Sequence, residues 1–138
     1  MDSSRLCLDT TALIDFLKGR EPGASAVDRA VRDYACHVTA VTVYELLFGV
    51  ARARKAIGEE DLLGLMMVLP FDDGAARLAA QLHDDLVRRN QDIGVKDVLI
   101  AAICLTHDIP LLTLNERHFS RVRDLVVISP SALIATHP

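Results

Sequence analysis

The sequence has few aromatic residues and no tryptophan. Of its 138 residues, 4% are aromatic, whereas 51% are hydrophobic. A protein that binds single-stranded nucleic acid mainly by stacking bases on aromatic rings is therefore disfavoured. The hydrophobic share excludes a largely disordered chain, and the dominance of Ala, Leu, Val and Ile indicates helices packed on a small sheet. A chain of this length buries roughly 70% of its unfolded surface, so we expect one domain over residues 1–138.

Long apolar segments and a secretory signal are also missing. The longest uninterrupted apolar run, VLIAAICL at 98–105, is too short to cross a membrane. The opening MDSSRLCLD has no basic segment followed by a long apolar one, so we expect no secretory signal and a cytoplasmic protein. Fifteen basic against nineteen acidic residues give a net charge of -4, which argues against a general positive coat for nucleic acid.

Motifs for zinc or thiol chemistry are absent. Cys7, Cys36 and Cys104 are widely spaced among apolar residues, which predicts small buried side chains in a reducing compartment. The five histidines show neither HxxxH nor HExxH spacing. Metal sites built from nitrogen and sulfur ligands are therefore not expected.

Strand and helix patterns alternate along the whole chain, which predicts an α/β fold with a mostly parallel central sheet and helices on both faces. Gly19 is expected to end the first helical segment and Gly58 the long helical segment that begins at Val41, and Asp72 or Asp73 is expected to cap a later helix. Such sheets bind ligands beyond the carboxyl ends of their strands. The predicted strands are 5–8, 36–39, 66–69, 111–114 and 124–129, and the predicted helices are 10–18, 24–33, 41–54, 60–65, 75–89, 95–107, a turn or short helix at 115–120, and a short helix near the end.

Three carboxylates stand out from this pattern. Asp9 directly follows the first strand and either caps the next helix or has a chemical role. Glu45 lies on a largely apolar helical face, where a lone carboxylate costs several kcal/mol unless a cation or donors accompany it; alternatively it reaches the surface. Asp97 lies in the first turn of an apolar helix, where the helix dipole alone favours it.

In combination, these three side chains are all placed where they can face one edge of the sheet. Unpaired carboxylates that lie close together repel one another, so a cluster of them is expected to recruit a divalent cation. Oxygen ligands without His or Cys favour Mg²⁺ or Mn²⁺ over zinc. Asp9, Glu45 and Asp97 are therefore the predicted metal ligands, and such a metal can activate water.

At these residues the chain resembles the PIN-domain ribonucleases, and among them the VapC toxins of bacterial toxin–antitoxin pairs. The resemblance covers essentially the whole chain and is carried by LDTTALIDFL, TVYELLFGV and IGVKDVLIAAICLTHDIPLLTLNERHF. It implies a PIN fold in which Asp9, Glu45 and Asp97 hold one or two Mg²⁺ or Mn²⁺ ions for hydrolysis of RNA, with tRNA or rRNA as the substrate. Thr10 and Thr113 would help to position water or metal. The resemblance also implies two partners, a VapB-like antitoxin and a second copy of the chain.

The chain departs from the family pattern at the fourth acidic position. LTLNERHF has Asn115 there, followed by Glu116 and His118. The amide oxygen of Asn115 can still hold a water or a metal-bound water, so Asn115 is included among the predicted catalytic residues. Glu116 and Asp92 are alternatives that are more often solvated in such positions, and His118 is expected to hydrogen-bond the loop.

Basic and apolar residues near these acids have two possible interpretations. Arginines and lysines that adjoin the predicted ligands, including Arg88, Arg89 and Lys96, either contact phosphates or are solvated at helix ends. An apolar set either packs in the core or faces a partner. Its members are Leu46, Leu47, Val50, Leu62, Leu63, Leu65 and Met66.

Other function classes remain as alternatives. A haloacid-dehalogenase-like phosphatase also places Asp after an early strand, but it needs a second Asp where this chain has Thr11. A phospho-receiver needs a central Asp and a late Lys at a strand end, which the sequence does not place. A catalytically silent PIN-like module that binds RNA or protein is the remaining alternative, and Asn115 favours it.

Overall fold

The computed structural model describes residues 4–136, and its centre is a five-stranded, all-parallel sheet in the order β3-β2-β1-β4-β5. In β1, Leu6 pairs with Cys36 of β2 on one side, and Leu8 pairs with Leu112 of β4 on the other. The predicted α/β fold with a parallel sheet is therefore confirmed. The strands are β1 (Arg5–Leu8), β2 (Ala35–Thr39), β3 (Met67–Leu69), β4 (Leu111–Leu112) and β5 (Val127–Ile128).

Eight helices connect and flank these strands within residues 4–136. Their bounds lie within a few residues of those that the periodicity predicts. They are α1 (Thr10–Leu17), α2 (Gly23–Asp33), α3 (Ala40–Ala53), α4 (Glu59–Leu63), α5 (Asp73–Arg88), α6 (Val95–Thr106), α7 (Glu116–Phe119) and α8 (Pro130–Thr136). The longest of them has 16 residues, and none in the described part of the chain is long and apolar enough to cross a bilayer.

The sheet separates two hydrophobic cores. Because successive strand residues point to opposite faces, Leu6 and Leu8 of β1 pack on the side of α1, α2 and α3, whereas Cys7 packs on the side of α5 and α6. Both faces of the sheet are thus covered, as the nearly continuous apolar strands predict. All three cysteines are buried and free, as expected from their apolar neighbours.

Local side-chain bonds fix where two of the helices begin. Thr39 ends β2 and accepts a hydrogen bond from the Thr42 amide at 3.1 Å, which caps α3. Asp72 accepts from the Ala75 amide at 2.9 Å and caps α5, so Asp72 rather than Asp73 has the predicted capping role.

Gly58 does not end the long helix, which corrects one prediction. Helix α3 ends at Ala53, and Arg54 follows in the left-handed region with a φ of 54°. Gly58, with a φ of 94°, instead directly precedes α4. A left-handed residue after a helix is most often Gly, so the Arg54 position gave no sequence signal.

Three of the apolar residues that could either pack in the core or face a partner belong to the core. Leu46, Leu62 and Met66 are buried among the side chains on the α1 side of the sheet. Leu65 is exposed, as are Tyr44 and Phe48 of α3, whose rings stack with centroids 5.8 Å apart. The exposed apolar surface of α3 is thus centred on its two aromatic residues.

Candidate active site

The predicted site residues come from neighbouring parallel strands and the helices that follow them. Asp9 directly follows β1, Thr113 directly follows β4, and α3, which carries Glu45, starts immediately after β2. Because β2, β1 and β4 are adjacent and parallel, their carboxyl ends meet at one edge of the sheet. Asp97, in the first turn of α6, is brought to the same edge.

Asp9 is almost fully buried, with 3% of its surface exposed. The hydroxyls of Thr113 and Thr11 donate to its Oδ2 at 2.7 and 3.1 Å. Although Asp9 occupies the N-cap position of α1, its side chain makes no capping hydrogen bond. The two hydroxyls therefore hold the carboxylate, and the capping interpretation of its side chain is wrong.

The pKa of Asp9 is raised from 3.8 to about 6, because burial and the negative charge of Asp97 together outweigh the opposing effect of the Thr113 hydrogen bond. Burial also raises the pKa of Asp97, and the hydrogen bond and charge of His118 oppose that rise. The two acids therefore interact electrostatically, and each is destabilised as an anion.

Two residues contact Asp97 from the segment in which the chain departs from the family pattern of acids. Asn115 Nδ2 lies 3.4 Å from Asp97 Oδ2 and 2.9 Å from His118 Nδ1. His118 Nδ1 itself lies 3.4 Å from Asp97 Oδ2. The amide nitrogen of Asn115 is thus turned toward Asp97 and His118, as expected for a His118 that hydrogen-bonds the loop.

Glu45 has both a hydrogen-bond donor and a cation beside it. Thr10 Oγ1 donates to Glu45 Oε1 at 2.8 Å and lies 3.1 Å from the Thr42 hydroxyl. Lys96 Nζ lies 3.9 Å from Glu45 Oε2, and the Glu45 side chain is 22% exposed. Glu45 is therefore anchored at the edge of the site, next to the residue that follows Asp9 in the chain.

The donor set suits a hard divalent cation, although the acids do not form a closed cage. Within residues 4–136, no group of three or more His, Cys, Asp or Glu side chains is close enough together to hold a metal ion. Asp9 and Asp97 nevertheless offer carboxylate oxygens whose ionised forms are disfavoured by burial. A divalent cation between them would remove that penalty, and oxygen ligands are those that Mg²⁺ and Mn²⁺ prefer.

The two alternative acids lie apart from this arrangement. Asp92 accepts from the Gly94 amide at 3.0 Å and lies 2.9 Å from His83 Nε2. Glu116 is exposed in α7. Both placements agree with the expectation that these acids are solvated.

Two of the adjoining cations are engaged in surface ion pairs. Arg88 pairs with Asp84, and Arg89 pairs with Asp85, each one helical turn away. Lys96, in contrast, approaches a predicted ligand and is 59% exposed. The sequence does not distinguish Lys96 from these arginines as a site residue. Only its position directly before Asp97 indicates that it lies near the site.

Sequence reasoning missed Thr11 and Thr42. Thr11 donates to Asp9 and accepts from the Leu114 amide at 3.3 Å, so it connects the ends of β1 and β4. Thr42 shares hydroxyl contacts with Thr10 and Thr39. Threonines are also common for their strand propensity, so only the doubled Thr after Asp9 could have indicated this role.

Comparison with known proteins agrees with this geometry. The PIN-domain family matches residues 6–125. "Ribonuclease VapC" of Rickettsia bellii is 30% identical over 133 residues, covering 90% of this chain and 95% of the relative. "Ribonuclease VapC1" of Rickettsia felis is 32% identical over 134 residues, covering 92% and 97%. The solved VapBC2 of Rickettsia felis, bound to a DNA fragment from its promoter, superposes with a TM-score of 0.78 at 18% identity, covering 91% of this chain and 98% of that one.

The chain therefore belongs to the PIN-domain family, and within that family to the VapC ribonucleases.

Proposed function

We propose that this protein is a metal-dependent endoribonuclease toxin that hydrolyses phosphodiester bonds of cellular RNA and is neutralised by a VapB-like antitoxin. The observation that carries the proposal is the pair of mutually repelling carboxylates at the carboxyl edge of the sheet, the buried Asp9 and the half-buried Asp97. The names of the VapC relatives support ribonuclease activity.

Asp9, Glu45 and Asp97 are the residues proposed to hold Mg²⁺ or Mn²⁺. When bound, the ion would supply an activated water and positive charge for the transition state of phosphodiester hydrolysis. The chain's own residues orient the ligands: Thr113 and Thr11 hold the Asp9 carboxylate, and Thr10 holds Glu45.

Two further side chains assist in this proposal. Asn115 presents its nitrogen to Asp97 and His118, so its amide oxygen faces another direction, where it can accept a hydrogen bond from water. The ammonium of Lys96 is exposed beside Glu45 and can pair with a phosphate of the RNA. Asn115 thus takes the place of a fourth acid without adding negative charge.

The substrate is proposed to be tRNA or rRNA. The net charge of -4 gives no general attraction to a polyanion. Phosphates must therefore be bound locally, by the cation and by Lys96. Compact, structured RNA that presents one accessible strand to this edge of the sheet fits such local binding.

A groove between α1 and α3 supports the antitoxin proposal. Its volume is about 610 Å³, and its walls include Ile14, Leu17 and Val50 together with Glu45. Such an apolar groove suits an amphipathic helix. A helix lying there would place its flanking residues next to Glu45 and would obstruct access to the site.

A second copy of the chain is the other proposed partner. Tyr44 and Phe48 stack on the outer face of α3 and are 57% and 52% exposed. Aromatic side chains exposed together are typical of protein interfaces. We propose that this face of α3 contributes to a homodimer.

Cleavage of tRNA and rRNA with and without Mg²⁺ tests the proposed activity. We expect the wild-type protein to cleave one of these RNAs only when Mg²⁺ or Mn²⁺ is present, and Asp97→Asn to lose cleavage together with metal-induced thermal stabilisation. Asp84→Asn is the matched control, because Asp84 is exposed on α5 and pairs with Arg88. Cleavage by Asp97→Asn at the wild-type rate would contradict the site.

A further inference from the structure

A second cavity adjoins the proposed catalytic site. It is open to solvent and has a volume of about 370 Å³. Two of its walls also belong to the site, because Thr11 donates to Asp9 and Asn115 contacts Asp97. The cavity is lined by Thr11, Ile14, Asp15, Leu114 and Asn115.

Asp15 is the unexplained group in this cavity. It is half-buried, and within residues 4–136 its carboxylate has no hydrogen-bond or ion-pair partner. A half-buried anion without a partner is unfavourable, and its charge also repels the phosphates of RNA. Asp15 therefore has a cost that neither the core nor the proposed hydrolysis accounts for.

The start of α2 does not satisfy this carboxylate. Asp15 packs against Gly23, where an added Cβ would lie 2.4 Å from Asp15 Cβ and 2.7 Å from Asp15 Oδ2. The amides of Ala24 and Ser25 are already used, because Ala24 donates to a backbone oxygen and Ser25 donates to Glu21. Asp15 also lines the cavity, so its carboxylate can accept a hydrogen bond from a donor that enters there.

We propose that this cavity binds a nucleobase of the RNA next to the scissile phosphate, and that Asp15 selects guanine there. The inference rests on the proposed function for its substrate class. Ile14 and Leu114 offer apolar surface on which the base can pack. The chain has few aromatic residues that could stack on a base instead. A carboxylate only accepts hydrogen bonds, and its two oxygens bind two donors side by side. Among the four bases, guanine presents such a pair, N1–H and the N2 amino group, on its Watson–Crick edge.

Binding of short RNAs to a non-cleaving variant tests the pocket separately from catalysis. The probes are uridine hexamers that carry a single guanine, hypoxanthine, adenine or cytosine, with binding to Asp9→Asn followed by fluorescence anisotropy. We expect the guanine hexamer to bind about tenfold more tightly than the adenine hexamer, as for one good paired contact. Hypoxanthine, which lacks the N2 amino group, should bind with intermediate affinity.

The double variant Asp9→Asn/Asp15→Asn should lose the guanine preference, whereas Asp9→Asn/Asp84→Asn, which changes the charge equally, should keep it. Equal affinity for all four hexamers, or a guanine preference that survives Asp15→Asn, would overturn the inference. It would also be overturned if Asp15→Asn weakened only the binding of an arginine-containing antitoxin peptide. A guanine preference in a protein that cleaves no RNA would uphold the pocket and refute the proposed function instead.

Discussion

Replacing Asp9 with Asn should change how the stability of the protein depends on pH. Burial and the charge of Asp97 raise the pKa of Asp9 from 3.8 to about 6 in the folded state. Because the folded state holds this proton more tightly than the unfolded state, ionisation of Asp9 opposes folding. The penalty is small below pH 3.8, grows between pH 3.8 and about 6, and is fully present above that range.

The magnitude follows from these two pKa values. The penalty is about 1 kcal/mol at about pH 4.5 and about 3 kcal/mol at about pH 8, because each pKa unit corresponds to about 1.4 kcal/mol. Asn at this position carries no charge and pays no such penalty. The altered hydrogen bonds to Thr113 and Thr11 add a contribution that is the same at both pH values. Between about pH 4.5 and about pH 8, the unfolding free energy of Asp9→Asn should therefore rise by about 2 kcal/mol relative to that of the wild type.

Urea unfolding of both proteins in EDTA, at about pH 4.5 and about pH 8, measures this difference. Asp84→Asn is again the control, because its exposed ion pair with Arg88 contributes little to stability. A difference between Asp9→Asn and wild type that is equal at the two pH values would refute the reasoning. Such a result would mean that ionisation of Asp9 costs no free energy in the folded state.

Three further changes test other parts of the structure. Thr113→Val removes the 2.7 Å hydrogen bond to Asp9 and should raise the pKa of Asp9 further and cost about 1.5–3 kcal/mol of stability at about pH 8; an NMR titration and urea unfolding would show this. A single 2′-deoxyribose at the cleaved position should leave cleavage intact, since water is the proposed nucleophile, and complete loss in a gel assay would exclude that mechanism. Asp72→Ala removes the cap of α5 and should lower stability by about 1 kcal/mol in thermal unfolding, whereas an unchanged melting temperature would show that the cap is dispensable.

The fold was largely predictable because its signals are local. The apolar strand that ends at Leu8 and the Asp72 cap mark element boundaries within a few residues of sequence. The end of α3 was not predictable, because Arg54 adopts a left-handed conformation that is usual for Gly. Gly58 satisfied the same rule a few residues later, and the sequence pattern alone could not separate the two positions.

The candidate site was predictable in its acids but not in its contacts. The sequence predicts Asp9, Glu45 and Asp97 as site residues, because helix capping and surface exposure do not explain all three together. The contacts of Thr10 with Glu45 and of Asn115 with His118 and Asp97 depend on tertiary placement. Periodicity gives the face of a helix on which a residue lies, but it does not give the rotamer or the partner across a sheet edge.

The apolar residues of α3 and α4 show the same distinction. Helical periodicity does not decide whether Leu46 and Leu62 are buried or exposed, and in the structure both are buried. Leu65 is equally apolar and is 61% exposed. Burial of such residues depends on which elements pack above them, which a single sequence does not encode locally.

A crystal structure of the wild-type protein grown with Mn²⁺, with an anomalous difference map, tests most directly whether these acids share one ion. We expect a single strong peak in contact with carboxylate oxygens of both Asp9 and Asp97, and the loss of that peak in Asp97→Asn. Manganese bound elsewhere while the two carboxylates at the sheet edge remain without metal would contradict the account.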